Sequence, residues 1–340
     1  MNKTVELVQA LCQLDGVSGA EEHVREYIEA QVRDYCDTRV DARGNLICVK
    51  KGRNTPAHKI MLSAHMDEVG FVITSIDDEG FLRFSTTGNI DSRVVIGKTV
   101  CLESGVPGVV GTKPIHVQTR EEQDTPLKVS DMYLDIGAVS KEDAMKSAAL
   151  GDHVAFRSRF VEFGNGRIRG KALDNRAGCA CLIQLLQQDA EYDFTAVFSV
   201  CAECGVSGAG NAAFDIKPDI AIVVNSIACA DVCCRDELEQ VAVQGQGPCL
   251  SYMEGHTIFN RGLIRRGMSI AQAHNIPCQL KYGVSGSSEA SGIQCAGSGA
   301  RVMSVSIPVR YAHSFSNVMK VSDIDSASQL LGCLAEELAR

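Results

Sequence analysis

The chain has 340 residues, and one domain of about 100 to 150 residues would leave most of it unused, so two domains are the default. Its formal charge of -9, from 33 basic and 42 acidic residues, excludes a broad nucleic-acid surface, though not a small charged pocket. Fifteen cysteines form an odd set with no signal peptide expected before them. Pairs such as Cys179/Cys181 and Cys233/Cys234 lie in apolar or strand-like runs, so they read as small hydrophobes in a reducing cytoplasm. No apolar run reaches the roughly 18 to 20 residues of a membrane span.

In chain order, Val5, Leu7, Val8 and Leu11 predict a helix over residues 4–14. Ser18 and Glu21 have the spacing of a capping box ahead of a helix over 20–34. Strands are predicted at 45–50 and 59–64, the second running into His65, Met66, Asp67 and Glu68. From residue 70 the texture changes: FVITSIDDEGFLRFSTTG is two alternating runs around an Asp-Asp-Glu-Gly turn, a hairpin signal. Short strand-like pieces, with a helical fragment over 143–150, continue to residue 163.

The α/β rhythm then resumes. A helix is predicted over 176–188, then strands at 194–201 and 219–225. Helix 258–273, strand 278–281, helix 288–296, strand 301–306 and a closing helix at 323–338 follow. The expected fold is α/β: a layered, mostly parallel sheet with flanking helices, formed by residues 1–69 and 164–340 and interrupted by a β-rich domain over 70–163.

The stretch VFSVCAECGVSGAG carries the chemistry of interest. A buried strand delivers one carboxylate, Glu203, to a glycine-eased turn, the kind of place where open α/β sheets bind ligands. Other strand and helix ends offer His65, Asp67, Asp174 and His313, with Asn225 in a matching position. Together they make a nitrogen and oxygen set suited to zinc, cobalt or manganese. Bland alternatives stand beside each: Asp174 as a helix N-cap, and His65 and His313 as packed or hydrogen-bonded histidines. Cys201 and Cys204 form a CxxC lacking the helix-start context of a redox pair. Arg310 and Tyr311 suit either a peptide terminus or loop positioning. The segment KYGVSGSSEASG could cradle an anion, or its Ser287 or Ser288 could be a nucleophile, yet it lacks a GxSxG elbow, and a turn into a cap suits it better.

HMDEVGF at 65–71, GRIRGKALDNRAG at 166–178, the glycines after Glu203, and IPVRYAHS at 307–314 together resemble the M42 family of metallo-aminopeptidases. LDIGAVSKEDA at 134–144 and GDHVAF at 151–156 resemble its inserted domain. The resemblance implies a cytoplasmic metalloprotease that releases N-terminal residues from short peptides, with one or two zinc or cobalt ions per subunit. It also implies homo-oligomers, often twelve-subunit tetrahedra, to which the insertion contributes. By motif, Asp174 would bridge two ions, Glu203 and His313 would complete one site, and His65 would belong to the other, with Asp67 orienting the His65 ring.

Two positions depart from the family pattern. A glutamate acting as general base normally precedes the ligand glutamate; this chain has Ala202 there. An aspartate normally serves the His65 site from the next strand; this chain has Asn225, whose neutral oxygen weakens that second site. A one-residue slip that makes Glu203 the base and Cys204 a ligand fits the glycine register less well. The leading expectation is a metal-dependent aminopeptidase weakened at the base position. The alternatives are a catalytically degraded relative serving as a binding or scaffold protein, and a divergent amide hydrolase.

Overall fold

A computed structural model describes residues 2–205, 207–232 and 239–340, so the Cys233/Cys234 pair lies outside the described residues. Helix α1 (Lys3–Gln13) starts where the Asn2 side chain accepts the Thr4 N–H at 3.0 Å, and it buries Val5, Val8, Leu11 and Cys12 along one stripe. Helix α2 (Glu22–Val32) has no side-chain cap, so the predicted capping box does not form. Ser18 donates instead to Asp67, and Glu21 accepts the N–H groups of Gly19 and Cys201. Long-range partners outcompete the local box.

Strands β1 (Asp37–Val40), β2 (Leu46–Lys50) and β3 (Ile60–His65) come next. The chain then leaves for a closed barrel of β4 (Gly70–Ile76), β5 (Leu82–Thr87), β6 (Thr99–Leu102), β7 (Pro107–Thr112), β8 (Met132–Asp135) and β9 (His153–Phe156), in the order β4-β5-β8-β7-β6-β9. Two short helices, α3 (Arg120–Asp124) and α4 (Lys141–Ala144), lie in its connections; α4 begins and ends earlier than the fragment predicted over 143–150. The predicted hairpin is β4 with β5, carrying a register shift between Ile73 and Ser75. The barrel has its own core, where the Phe71 ring meets Phe84 at 4.6 Å and Phe156 at 5.0 Å edge-on.

The main sheet resumes with β10 (Val161–Phe163) and β11 (Arg167–Gly170), followed by α5 (Leu173–Leu186), β12 (Phe194–Ser199), α6 (Ala209–Ile216) and β13 (Ile220–Ala228). After β14 (Cys249–Leu250) and the ribbon β15 (Met253–Glu254) and β16 (Thr257–Ile258) come α7 (Arg261–Ala273), β17 (Gln279–Leu280) and α8 (Ala290–Gln294). Strands β18 (Arg301–Arg310) and β19 (Asn317–Lys320) and helix α9 (Val321–Glu337) close the chain. The sheet order is β1-β2-β12-β3-β13-β18-β19-β11-β10.

The α/β layering with a separate β-rich barrel is as expected, and the sheet is mixed. Its centre, β12-β3-β13-β18, is parallel and buried on both faces, which suits the continuous apolar runs of those strands. Its margins are antiparallel: β1–β2, β10–β11 and β18–β19 return through short connections, whereas β2 with β12 and β11 with β19 pair segments far apart in the chain. Residues 161–163, expected in the insertion, pair with β11 in the main sheet. Helix α5, apolar around nearly its whole circumference, packs against β3, β13 and α9.

All four parallel strands point their C-terminal ends at the edge where the barrel departs, five residues after His65. Replacing Phe71, which is fully buried in the barrel core, removes a ring with two aromatic partners. Phe71→Ala is expected to lower unfolding stability by about 3–5 kcal/mol in a denaturant titration. A loss under about 1 kcal/mol would show that the barrel core does not depend on this ring.

Candidate metal centre

Strand β3 ends on His65, whose register partner on β12 is Ser199, the last residue of that strand. The turn after Ser199 presents Glu203. Strand β18 extends to Arg310, further than predicted, so His313 lies three residues past it. Asp174 sits at the start of α5 but is not its cap: Ala172 holds that position, and Asp174 and Asn175 have non-helical backbone angles. The helix opens irregularly, and its first carboxylate is left for the site.

These elements bring His65, Asp174 and Glu203 together, with one ligand atom from each lying within 4.8 Å of the others. His65 Nε2 is 3.6 Å from Asp174 Oδ1, and His313 Nε2 is 3.4 Å from Glu203 Oε2 and 4.0 Å from Asp174 Oδ2. His65 is buried, and Asp174 and Glu203 are nearly so. Asn225 is half-buried on β13, opposite Ser306 of β18. Ala202, also half-buried, adjoins Glu203 and carries no proton acceptor.

Asp67 lies behind this cluster with no exposed surface. It accepts from Ser18 Oγ at 2.6 Å, from the Ala202 N–H at 3.0 Å and from the Glu203 N–H at 2.9 Å, and its Oδ1 is 3.3 Å from His65 Nδ1. One carboxylate therefore aims both the imidazole and the glutamate. Glu21 takes the preceding N–H, from Cys201, at 2.9 Å.

The cluster holds more negative charge than it can bury alone. Burial, then repulsion from Asp174, pushes the Glu203 carboxyl up to about 8. Burial opposes a charged imidazole at His65, yet Asp174 and Asp67 hold its pKa well above the ordinary histidine value. Burial likewise works against ionisation of Asp67 and Asp174, and His65 reverses this, keeping both carboxyls below their usual range. Without a cation, protons fill its place.

A model of the M42 glutamyl aminopeptidase family matches residues 44–330. The chain belongs to the M42 family. It is 39% identical over 332 residues to a protein of Acetivibrio thermocellus provisionally named an aminopeptidase, covering 96% of each. Its fold superposes on the TET aminopeptidase of a Thaumarchaeota archaeon from marine sediment with a TM-score of 0.94 at 30% identity, over 99% of this chain and 97% of that one. It also matches the TET1 peptidase of Pyrococcus horikoshii, which can assemble into a tetrahedron or a large octahedral shell, with a TM-score of 0.88 at 32% identity, over 98% of this chain and all of that one.

In this M42 chain, His65, Asp174 and Glu203 form the metal-binding triad. The donor set fits a borderline divalent ion: one imidazole and two carboxylates converge, and among the described residues no lysine or arginine pairs with Asp174 or Glu203. Glu68, Val69, Phe156, Lys171, Ser314 and Asn317 line the narrow cleft around it, whose cavity volume is about 10 Å³. Lys171, which no sequence motif singles out, places its Nζ 2.6 Å from Glu68 Oε1 and 2.7 Å from Asp15 Oδ1. An exposed-looking lysine in GRIRGKALDN gives no sign of partners so distant in sequence.

Several alternatives resolve here. Arg310 makes a bidentate pair with Asp231 at 2.7 and 2.8 Å, so it positions its loop. Ser288 donates to Glu254 at 2.7 Å, and the buried carboxylate of Glu289 stands at the α8 start where an anion would have to sit. The Cys201 thiol is pushed up to about 12 by burial and by Glu21 and Asp67, against thiolate chemistry. Four non-glycine residues with positive φ flank the centre: Ala172, Cys201, Tyr311 and His313, at 55°, 58°, 59° and 54°. Each left-handed residue costs about 1–2 kcal/mol, a concentration of strain typical of functional sites.

Both raised groups, Glu203 and His65, bind protons more tightly in the folded state. They stabilise the metal-free fold below their unfolded pKa values, and that stability is lost as pH rises; for Glu203 the loss runs from about 4.5 to about 8. A divalent ion must displace those protons. Titration calorimetry in two buffers of different ionisation enthalpy should show proton release on zinc binding near pH 7, and affinity rising towards pH 8 and above. Buffer-independent heats and a flat affinity would contradict this electrostatic account.

Proposed function

We propose that the protein releases N-terminal residues from short peptides by metal-assisted hydrolysis, at a rate limited by the residue at position 202. The convergence of His65, Asp174 and Glu203 at the parallel strand ends carries this reading. A divalent ion there, zinc or cobalt, would supply Lewis-acid polarisation of the scissile amide and acidify water. Asp174 suits a carboxylate shared between two ions, since one oxygen faces His65 and the other His313. Glu203 and His313 would then complete one position. His65 would serve the other, with Asn225 as a neutral and weaker ligand, which favours one tightly held ion over two. Asp67 orients the His65 ring and raises its basicity.

Among the described residues, no carboxylate replaces the one missing at Ala202. Glu68 is the other acid lining the cleft, and it is engaged by Lys171 at 2.6 Å and by the Gly16 N–H at 3.1 Å, with Arg176 Nη2 at 3.6 Å. A carboxylate held by two cations has no freedom to shuttle a proton. Nothing in the site favours a non-enzymatic scaffold role, because the ligand cluster and its supporting carboxylate are retained.

The barrel, with residues 70–163 as its proposed domain, exposes Ile115, Val117 and Val139, which suits burial between subunits. We assign the chain to a closed homo-oligomer, up to the dodecamer, that admits peptides and excludes folded proteins. A cytoplasmic location agrees with thirteen described cysteines that are all free.

Zinc- or cobalt-loaded protein should hydrolyse a panel of aminoacyl substrates above a Glu203→Ala control, and Ala202→Glu should raise kcat by about 10²–10⁴. Equal rates for wild type and Glu203→Ala would overturn the peptidase reading. An unchanged kcat in Ala202→Glu would show that position 202 does not limit the rate.

A further inference from the structure

We propose that Glu289 is a positioning residue that clamps the Glu203 turn to the sheet and thereby sets how tightly the centre holds its cation. Glu289 lies at the start of α8, only 5% exposed, and among the described residues no cationic side chain pairs with it. Its carboxylate is held by three serine hydroxyls. Ser63, on β3 two residues before His65, donates to Oε2 at 2.8 Å. Ser199 and Ser207 both donate to Oε1.

These serines occupy defined places around the centre. Ser199 ends β12, Ser207 lies one residue before Gly208, and Ala202 and Glu203 sit between them. A single oxygen therefore ties the two feet of the turn together, while the other oxygen ties them to the strand that carries His65. The Ser199 carbonyl also accepts the Met66 N–H at 2.8 Å, so the same foot is fixed to the residue after His65.

On the other side, Asn45 accepts the Val200 N–H at 3.1 Å and donates to the Gly208 carbonyl at 3.0 Å. There is no room to adjust there, because a Cβ at Gly208 would meet Asn45 Oδ1 at 2.1 Å. The feet are thus held by Asn45 and Glu289, and the crown by Asp67 and Glu21. A bare carboxylate is expensive to bury without a cation, and hydroxyl donors are the compensation seen here. An apolar residue would fill the space without costing that energy, but it could not gather three separate segments onto one group.

The dependence of cation affinity rests on the metal-centre reading above; the clamp itself does not. In the metal-free protein, Glu289→Ala should speed hydrogen exchange at the Cys201, Ala202 and Glu203 amides by about tenfold, for loss of the bonds at the feet of the turn. In the metal-loaded protein it should weaken zinc binding by about tenfold or more. Glu289→Gln retains an acceptor oxygen for Ser199 and Ser207 and should restore both readouts to within about threefold of wild type.

Asp323→Asn serves as the control, since Asp323 is a buried carboxylate holding the Gly245 and Gly247 N–H groups away from the centre. It should lower thermal stability without moving either readout. If Glu289→Ala does not fold, Ser207→Ala cuts one foot and should give the same direction of change. The proposal is overturned if exchange in the folded variant stays within twofold of wild type, if Asp323→Asn moves the readouts equally, or if Gln fails to rescue Ala. A wild type that binds no zinc would sink the proposed function, and the exchange data would still judge the clamp.

Discussion

The centre depends on one buried charge, the Asp67 carboxylate. Buried without partners, it would cost several kcal/mol; here it is matched by a hydroxyl, two backbone amides and an imidazole. Those four donors come from three separate parts of the chain: the α1–α2 connection, the end of β3 and the turn after β12. Satisfying Asp67 therefore draws His65 and Glu203 into one place. Removing the charge would release both at once, so the network acts as a unit.

The rest of the architecture sustains that arrangement against its own electrostatics. Asp174 and Glu203 repel each other, and the centre stays folded because an apolar parallel sheet and α5 hold the backbone beneath it. The left-handed residues around the site add strain that the surrounding packing must absorb. A cation relieves the repulsion, so metal binding and folding stability are coupled through the same side chains. The barrel closes one wall of the cleft with Val69 and Phe156.

Much of this was legible in the sequence, for identifiable reasons. Glu203 could be found because an ionisable group directly after an apolar run has no cheap structural explanation, while His65 and Asp174, which had bland alternatives, took their place from the ordered motifs. Ser18 and Glu21 were misread because their spacing satisfies a local rule, while their partners lie 49 and 180 residues away. The same blindness hid Lys171 and Glu289. The sheet margins were missed because β10, β11 and β19 span three or four residues each, too short for a period to show. The predicted strand stops four residues short of the end of β18, within which Pro308 lies opposite Ile227.

The central claim is that one carboxylate network holds a metal site at the ends of the parallel strands, on His65, Asp174 and Glu203. Anomalous diffraction from crystals soaked in zinc, recorded on both sides of the absorption edge, tests it most directly. The account predicts a strong peak among His65, Asp174 and Glu203, with any second peak, on the Asn225 side, the weaker. A single strong peak on Asn225, or none within reach of Glu203, would contradict it.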